Sequence, residues 1–133
     1  MIEINNLTKQ KINPFLIKKF IAQALKILKI KKSISLVFVG LALIKKINEK
    51  YRQKNEITDI LSFIGADNYL GEIIISLKQA QKQAKQAQHS LMTEIKILII
   101  HGILHLHGYD HHYKKDYKLI VKKEKQLLKI LKV

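Results

Sequence analysis

The spacing of hydrophobic residues along this chain changes between two patterns, one typical of helices and one typical of strands. After Asn13 and Pro14, which suit the N-cap and first turn of a helix, apolar residues recur every three or four positions as far as Ile30. Residues 33–40 are instead short, apolar and β-branched, which predicts a buried strand. Residues 2–7 alternate weakly and are expected to form an edge strand.

The rest of the chain continues the two patterns. Two strands are predicted over residues 60–65 and 70–76, and the turn-prone loop between them predicts a hairpin. Four further helices are predicted, over residues 41–53, over residues 77–88, from Ser90 onward and over residues 113–131. In the helix over residues 41–53, the side chains expected to face inward are Leu43, Ile44, Ile47 and Tyr51. The predicted fold is α+β (α/β-like), a small mixed four-stranded sheet packed with about five helices, with residues 1–133 as a single domain.

Composition excludes several classes of protein. The chain has 133 residues and no cysteine, so disulfides, thiolate ligands and a cysteine nucleophile are excluded. It has no apolar run of membrane-spanning length, and its N-terminus lacks the charged and apolar segments of a secretory signal. We therefore expect a cytoplasmic protein that does not bind a membrane.

The net charge of +15 at pH 7 favours a polyanionic partner such as RNA or DNA. An alternative is the codon bias of an AT-rich genome, because nearly all of the charge is lysine. Arg52 is the only arginine among 25 basic Lys and Arg residues. A guanidinium can grip a phosphate in two places at once, which suggests a role that lysine cannot fill; a chance survival or a buried salt bridge remains the alternative.

Candidate metal chemistry is concentrated in the segment that runs from His101 to His111. His101 and His105 are four residues apart, so on a helix they lie on one face, about 6 Å apart along the axis. Gly108 can end that helix and let the chain return with His111. Three imidazoles with an open fourth position are typical of a catalytic zinc site.

Two alternatives qualify this metal site. Buried, hydrogen-bonded histidines without a metal give the same pattern, and His112, one residue late, competes with His111 as the third ligand. His107 is better suited to a solvated or supporting role. The offsets match those of metzincin proteases, but Gly102 stands where those enzymes carry their general-base Glu, so peptidase chemistry is disfavoured.

The sequence HGILHLHGYDH, residues 101–111, closely resembles the HGxLHLxGYDH pattern of the YbeY family of bacterial rRNA maturation factors. Companion segments occur in the family's order, namely Asn48 with Tyr51-Arg52, then 58–63, 70–76 and 89–90. Glu72 stands where the family more often has Asp, and Ile64 where it usually has Pro. The resemblance covers roughly residues 48–112.

The resemblance implies a metal-dependent endoribonuclease that cleaves single-stranded RNA. It further implies roles in 16S rRNA 3′-end maturation and late quality control of the 30S ribosomal subunit. The metal ligands would be His101, His105 and His111, holding one Zn²⁺ per chain, and these three with Arg52 would form the catalytic set. The alternative is a non-catalytic ribosome assembly factor whose metal is structural.

Overall fold

A computed structural model describes residues 1–108 and 118–133 in full, and the backbone alone of residues 114–117. The described residues form four strands and five helices. In chain order these are β1 (Ile2–Asn6), α1 (Pro14–Ile27), β2 (Ser33–Val39), α2 (Leu41–Arg52), β3 (Ile60–Ile64), β4 (Tyr69–Ser76), α3 (Leu77–Ala87), α4 (Leu91–Leu106) and α5 (Lys114–Ile130).

The strands form one mixed sheet in the order β1-β2-β4-β3. β1, β2 and β4 run parallel, and β3 pairs antiparallel with β4 at one edge, as the hairpin pattern predicts. The predicted edge position of β1 is also confirmed. The α+β class, with a four-stranded mixed sheet and five helices, matches the sequence-based prediction.

The two faces of the sheet carry different helices. Alternate residues of a strand point to opposite faces, and in β4 Ile73 and Ile75 pack with α1 and α4, whereas Ile74 packs beneath α2 with Ile44. The α4 face therefore holds the larger core and the α2 face a smaller one. Within the described ranges, no helix combines the length and the apolar character needed to cross a membrane.

Helix starts follow the capping residues of the sequence. The side chains of Asn13, Ser76 and Ser90 each accept a hydrogen bond from a backbone N–H of the first helical turn, at 3.0 to 3.3 Å. Ser90 matters most for function, because its cap sets where α4 begins and thus the positions of the histidines further along that helix.

Two sequence-based expectations about helices are wrong in detail. α1 ends at Ile27 rather than near Ile30, because Lys29 takes a left-handed conformation and turns the chain toward β2. In α2, Leu43 is 39 % exposed and Tyr51 60 % exposed, so neither faces inward as predicted. The inward position near the end of α2 belongs instead to Asn48, which is buried.

Candidate metal centre

α4 carries two of the three predicted metal ligands. His101 and His105 lie on its last two turns, both half-buried, while the residues around them that face the sheet are buried. Gly108 has a positive φ of 106° just beyond the end of the helix, in the conformation predicted for a residue that terminates it. The helix thus presents two imidazoles at the boundary between core and solvent.

Two glycines allow α4 to lie close to the sheet. A Cβ atom at Gly102 would come within 2.8 Å of Ile73 Cδ1 and 3.2 Å of Ile60 Cδ1. At Gly71, whose φ is 145°, a Cβ would lie 2.9 Å from Leu106 Cδ2 of α4. A side chain at position 102 would require Ile73 to shift, so glycine suits the close packing of α4 on the sheet.

A carboxylate from α5 orients the first imidazole. His101 Nδ1 donates to Glu124 Oε1 over 2.7 Å. This hydrogen bond raises the pKa of His101 above its ordinary value; burial acts in the opposite direction, and the negative charges of Glu124 and Asp59 add to the rise. Glu124 was not identified from the sequence. The signal available in the sequence is that Glu124 is the one acidic residue in the lysine-rich segment 118–125.

Hydrogen bonds between polar side chains link Asp59 to the first turn of α4. Gln83 Nε2 donates to Asp59 Oδ2 over 3.2 Å and to Glu94 Oε2 over 3.0 Å. Glu94, only 7 % exposed, also binds His89 Nε2 through Oε1 at 2.7 Å. The network joins the residue that precedes β3 to α3 and α4, so it fixes the helix that carries the histidines.

Acidic residues are scarce in this chain, and three of them serve this region. Of the ten Asp and Glu residues, Asp59 and Glu124 act on His101, and Glu94 holds the base of the same helix. Negative charge beside histidine ligands favours a bound cation.

The donor set fits zinc as far as the described residues extend. Because His101 Nδ1 lies against Glu124, a metal ligated by this imidazole would be bound through Nε2, the arrangement in which a carboxylate orients a ligating histidine. His111 and its competitor His112 lie outside the described residues. Among those that are described, no group of three His, Cys, Asp or Glu side chains converges, so the triad stays a prediction.

Arg52 is the last residue of α2 and is exposed. The loop that follows is held by the buried Asn48, whose Nδ2 donates to the Glu56 carbonyl over 3.0 Å. This loop leads to Asp59, which acts electrostatically on His101. α2 and α4 pack on opposite faces of the sheet, and a catalytic set that joins Arg52 to the histidines remains a prediction.

Comparisons with known proteins all indicate the same protein family. Residues 3–132 match the family model described as Endoribonuclease YbeY. A protein named Endoribonuclease YbeY from Aster yellows witches'-broom phytoplasma (strain AYWB) is 40% identical over 139 residues, covering 96% of this chain and 92% of that protein. A protein of the same name from Finegoldia magna is 45% identical over 102 residues, covering 72% of this chain and 67% of that protein.

A solved structure shows the same fold. The solution structure of a protein from Thermotoga maritima superposes with a TM-score of 0.71 at 26% identity, covering 98% of this chain and 89% of that one. The match extends well beyond the segments that carry the resemblance in the sequence, and includes the N-terminal strand and helix. The chain belongs to the YbeY family.

Proposed function

We propose that this chain is a zinc-dependent endoribonuclease that cleaves single-stranded RNA. Its substrate would be small-subunit rRNA, with cleavage at the 3′ end of 16S rRNA and a part in late quality control of the 30S subunit. The observation that carries the proposal is the contact between His101 and Glu124, in a chain whose curated relatives are named endoribonucleases.

Three histidines would hold the metal in this proposal. His101 is already oriented, His105 lies one helical turn further along α4, and His111 is the predicted third ligand. A bound zinc supplies a Lewis acid that activates water and offsets negative charge on a phosphate. The Glu124 carboxylate keeps the His101 ring in one orientation, which lowers the cost of ordering it.

Arg52 and the lysines would bind the RNA backbone. The exposed guanidinium of Arg52 can form two parallel hydrogen bonds to one phosphate, and it would stabilise charge that grows there in the transition state. A net charge of +15 supplies the salt-sensitive attraction that concentrates RNA at the surface. The proton acceptor is unassigned, and Asp110, which lies outside the described residues, would orient a ligating histidine.

One observation favours the non-catalytic alternative. The His101 and Glu124 pair already joins α4 to α5, so a metal bound there would tether the C-terminal helix. A metal with this structural role would suit an assembly factor that binds rRNA without cleaving it. The two functions differ in whether removal of the metal abolishes cleavage or only lowers stability.

The test uses untagged protein, which avoids metal carried by a histidine tag. We expect cleavage of single-stranded RNA, not of a duplex of the same sequence, and cleavage of a precursor that carries the 16S 3′ extension. A chelator should abolish both activities and stoichiometric zinc should restore them, with circular dichroism unchanged. Tight RNA binding without cleavage under any metal condition would contradict the proposal and favour the assembly factor.

A further inference from the structure

A pair of aromatic rings, one exposed and one half-buried, lies on the α2 face of the sheet. Tyr51, near the end of α2, and Phe63, on β3, have ring centroids 5.5 Å apart and planes at 73°. Tyr51 is 60 % exposed. Two nearly perpendicular rings form a corner, in which a third planar group can lie flat on one ring and against the edge of the other.

The corner opens into a cavity with a carboxylate in its lining. The cavity has a volume of about 400 Å³ and is lined by the two rings, Ile47, Ile74 and Glu72. Glu72 and Phe63 are directly paired across β4 and β3, so both point to this face. Within the described part of the chain the Glu72 carboxylate takes part in no ion pair, which leaves it available to accept hydrogen bonds from a ligand.

Positive charge flanks the cavity. Lys50 Nζ lies 5.2 Å from the centre of the Tyr51 ring, and Arg52 is the next residue along the chain. The site therefore combines an aromatic corner, a hydrogen-bond acceptor in its lining and a lysine ammonium beside one of its rings. A nucleotide has the matching parts, because its base is planar and carries N–H donors while its phosphate is an anion.

We propose that this cavity binds one base of the single-stranded RNA, and that the base is guanine. A guanine ring presents two N–H donors side by side on its Watson–Crick edge, a fork that one carboxylate can accept in full. Adenine and cytosine each place a ring acceptor beside their amino group, and uracil flanks its single N–H with two carbonyls. Glu72 would therefore discriminate in favour of guanine, by the same complementarity that governs bidentate base recognition.

This inference rests on the proposed function, and it implies that the bound RNA extends from the α2 face of the sheet to the α4 face. Ser62 and Phe63 are neighbours on the edge strand β3, yet Ser62 pairs with Ile73 on the α4 face and Phe63 with Glu72 on the α2 face. The strand of RNA would pass around this edge. The guanine would consequently lie a few nucleotides from the phosphate cleaved beside the histidines.

Binding of free nucleotides tests the cavity apart from cleavage. Guanosine monophosphate and uridine monophosphate would each be titrated into zinc-loaded protein, and binding would be followed by NMR of the aromatic side chains. We expect the Phe63 and Tyr51 resonances to shift, with guanosine monophosphate bound roughly tenfold more tightly than uridine monophosphate. Glu72→Gln should remove that preference, and Tyr51→Leu should weaken both nucleotides roughly tenfold.

Matched variants on α2 exclude general effects. Glu49→Gln removes an exposed carboxylate outside the cavity and Leu43→Ala an exposed apolar side chain, and neither should alter nucleotide binding. Equal affinities for the two nucleotides, or a preference that survives Glu72→Gln, would overturn the inference.

A second assay links the cavity to cleavage. Oligouridine with a single guanosine should be cut faster than oligouridine alone, at one fixed spacing from the guanosine, and Glu72→Gln should remove that advantage. Metal-dependent cleavage with no guanosine effect would overturn the inference and leave the proposed function standing. Guanosine monophosphate bound in the cavity of a protein that cleaves no RNA would support the cavity and refute the proposed function.

Discussion

The two faces of the sheet hold their polar groups in different ways. On the α4 face, His101 binds Glu124, and the 7 % exposed Glu94 is fixed by partners from two other segments. On the α2 face, Arg52 and the 60 % exposed Tyr51 project toward solvent. In the proposed function, the α4 face would hold the groups whose geometry must be fixed in advance, and the α2 face would contact a flexible substrate.

Removal of a metal ligand should have the largest effect. We expect His105→Ala to reduce RNA cleavage by at least roughly 1000-fold, because the Lewis acid is lost. His107→Ala, two residues further on and exposed, is the matched control and should retain activity. Initial rates on a single-stranded oligonucleotide measure both. Equal losses in the two variants would remove the basis for assigning His105 as a ligand.

Arg52 tests whether the two faces act together. Replacement by Ala should lower kcat/KM about 100-fold, as expected for loss of a donor that stabilises transition-state charge. Arg52→Lys retains the charge but not the paired hydrogen bonds, so it should recover only part of the rate. Lys46→Ala removes one exposed charge from the same helix and serves as the control. If Arg52→Ala behaves like Lys46→Ala, Arg52 has no special role.

Glu124 tests how firmly the α4 face is organised. Glu124→Gln should weaken zinc affinity by about 10- to 100-fold, since the carboxylate that orients His101 is lost. Competition with a chromogenic chelator measures the affinity. Glu49→Gln, an exposed site on α2, makes the same charge change and should leave affinity unaltered. An unchanged affinity in Glu124→Gln would show that the contact does not serve the metal.

The close packing of α4 against the sheet should contribute measurably to the free energy of unfolding. Gly102→Ala places a methyl group within 2.8 Å of Ile73 Cδ1, and we expect a loss of about 1–3 kcal/mol in the free energy of unfolding. Gly40→Ser is the control, because nothing lies within 4 Å of a Cβ at that position and serine suits the N-cap of α2 that Gly40 occupies. Urea denaturation of both variants gives the comparison, and a Gly102→Ala protein as stable as the control would contradict the close packing.

Local signals in the sequence predicted most of the fold. The cap at Asn13, the start of a helix at Ser90, the hairpin and the edge strand all depend on residues close together in the chain, and all are confirmed. The inward position of Tyr51 was predicted from helical spacing and is wrong. Helical spacing shows which residues share one face of a helix, but it does not show how far along the helix the sheet covers that face.

The candidate site was predictable only in part. His101 and His105 follow from a four-residue spacing on one helix, which is a local signal. The contact between His101 and Glu124 joins residues 23 apart and depends on how α4 and α5 pack, so no periodicity reveals it. The same holds for the bridge from Asp59 through Gln83 to Glu94, which joins three separate segments.

The zinc content of the untagged protein tests the central claim most directly. Elemental analysis after purification without a metal-affinity step should give about one zinc per chain for the wild type and close to none for His105→Ala, with both proteins folded. A wild-type protein that neither retains nor takes up zinc, or a His105→Ala protein that binds it equally well, would contradict the account.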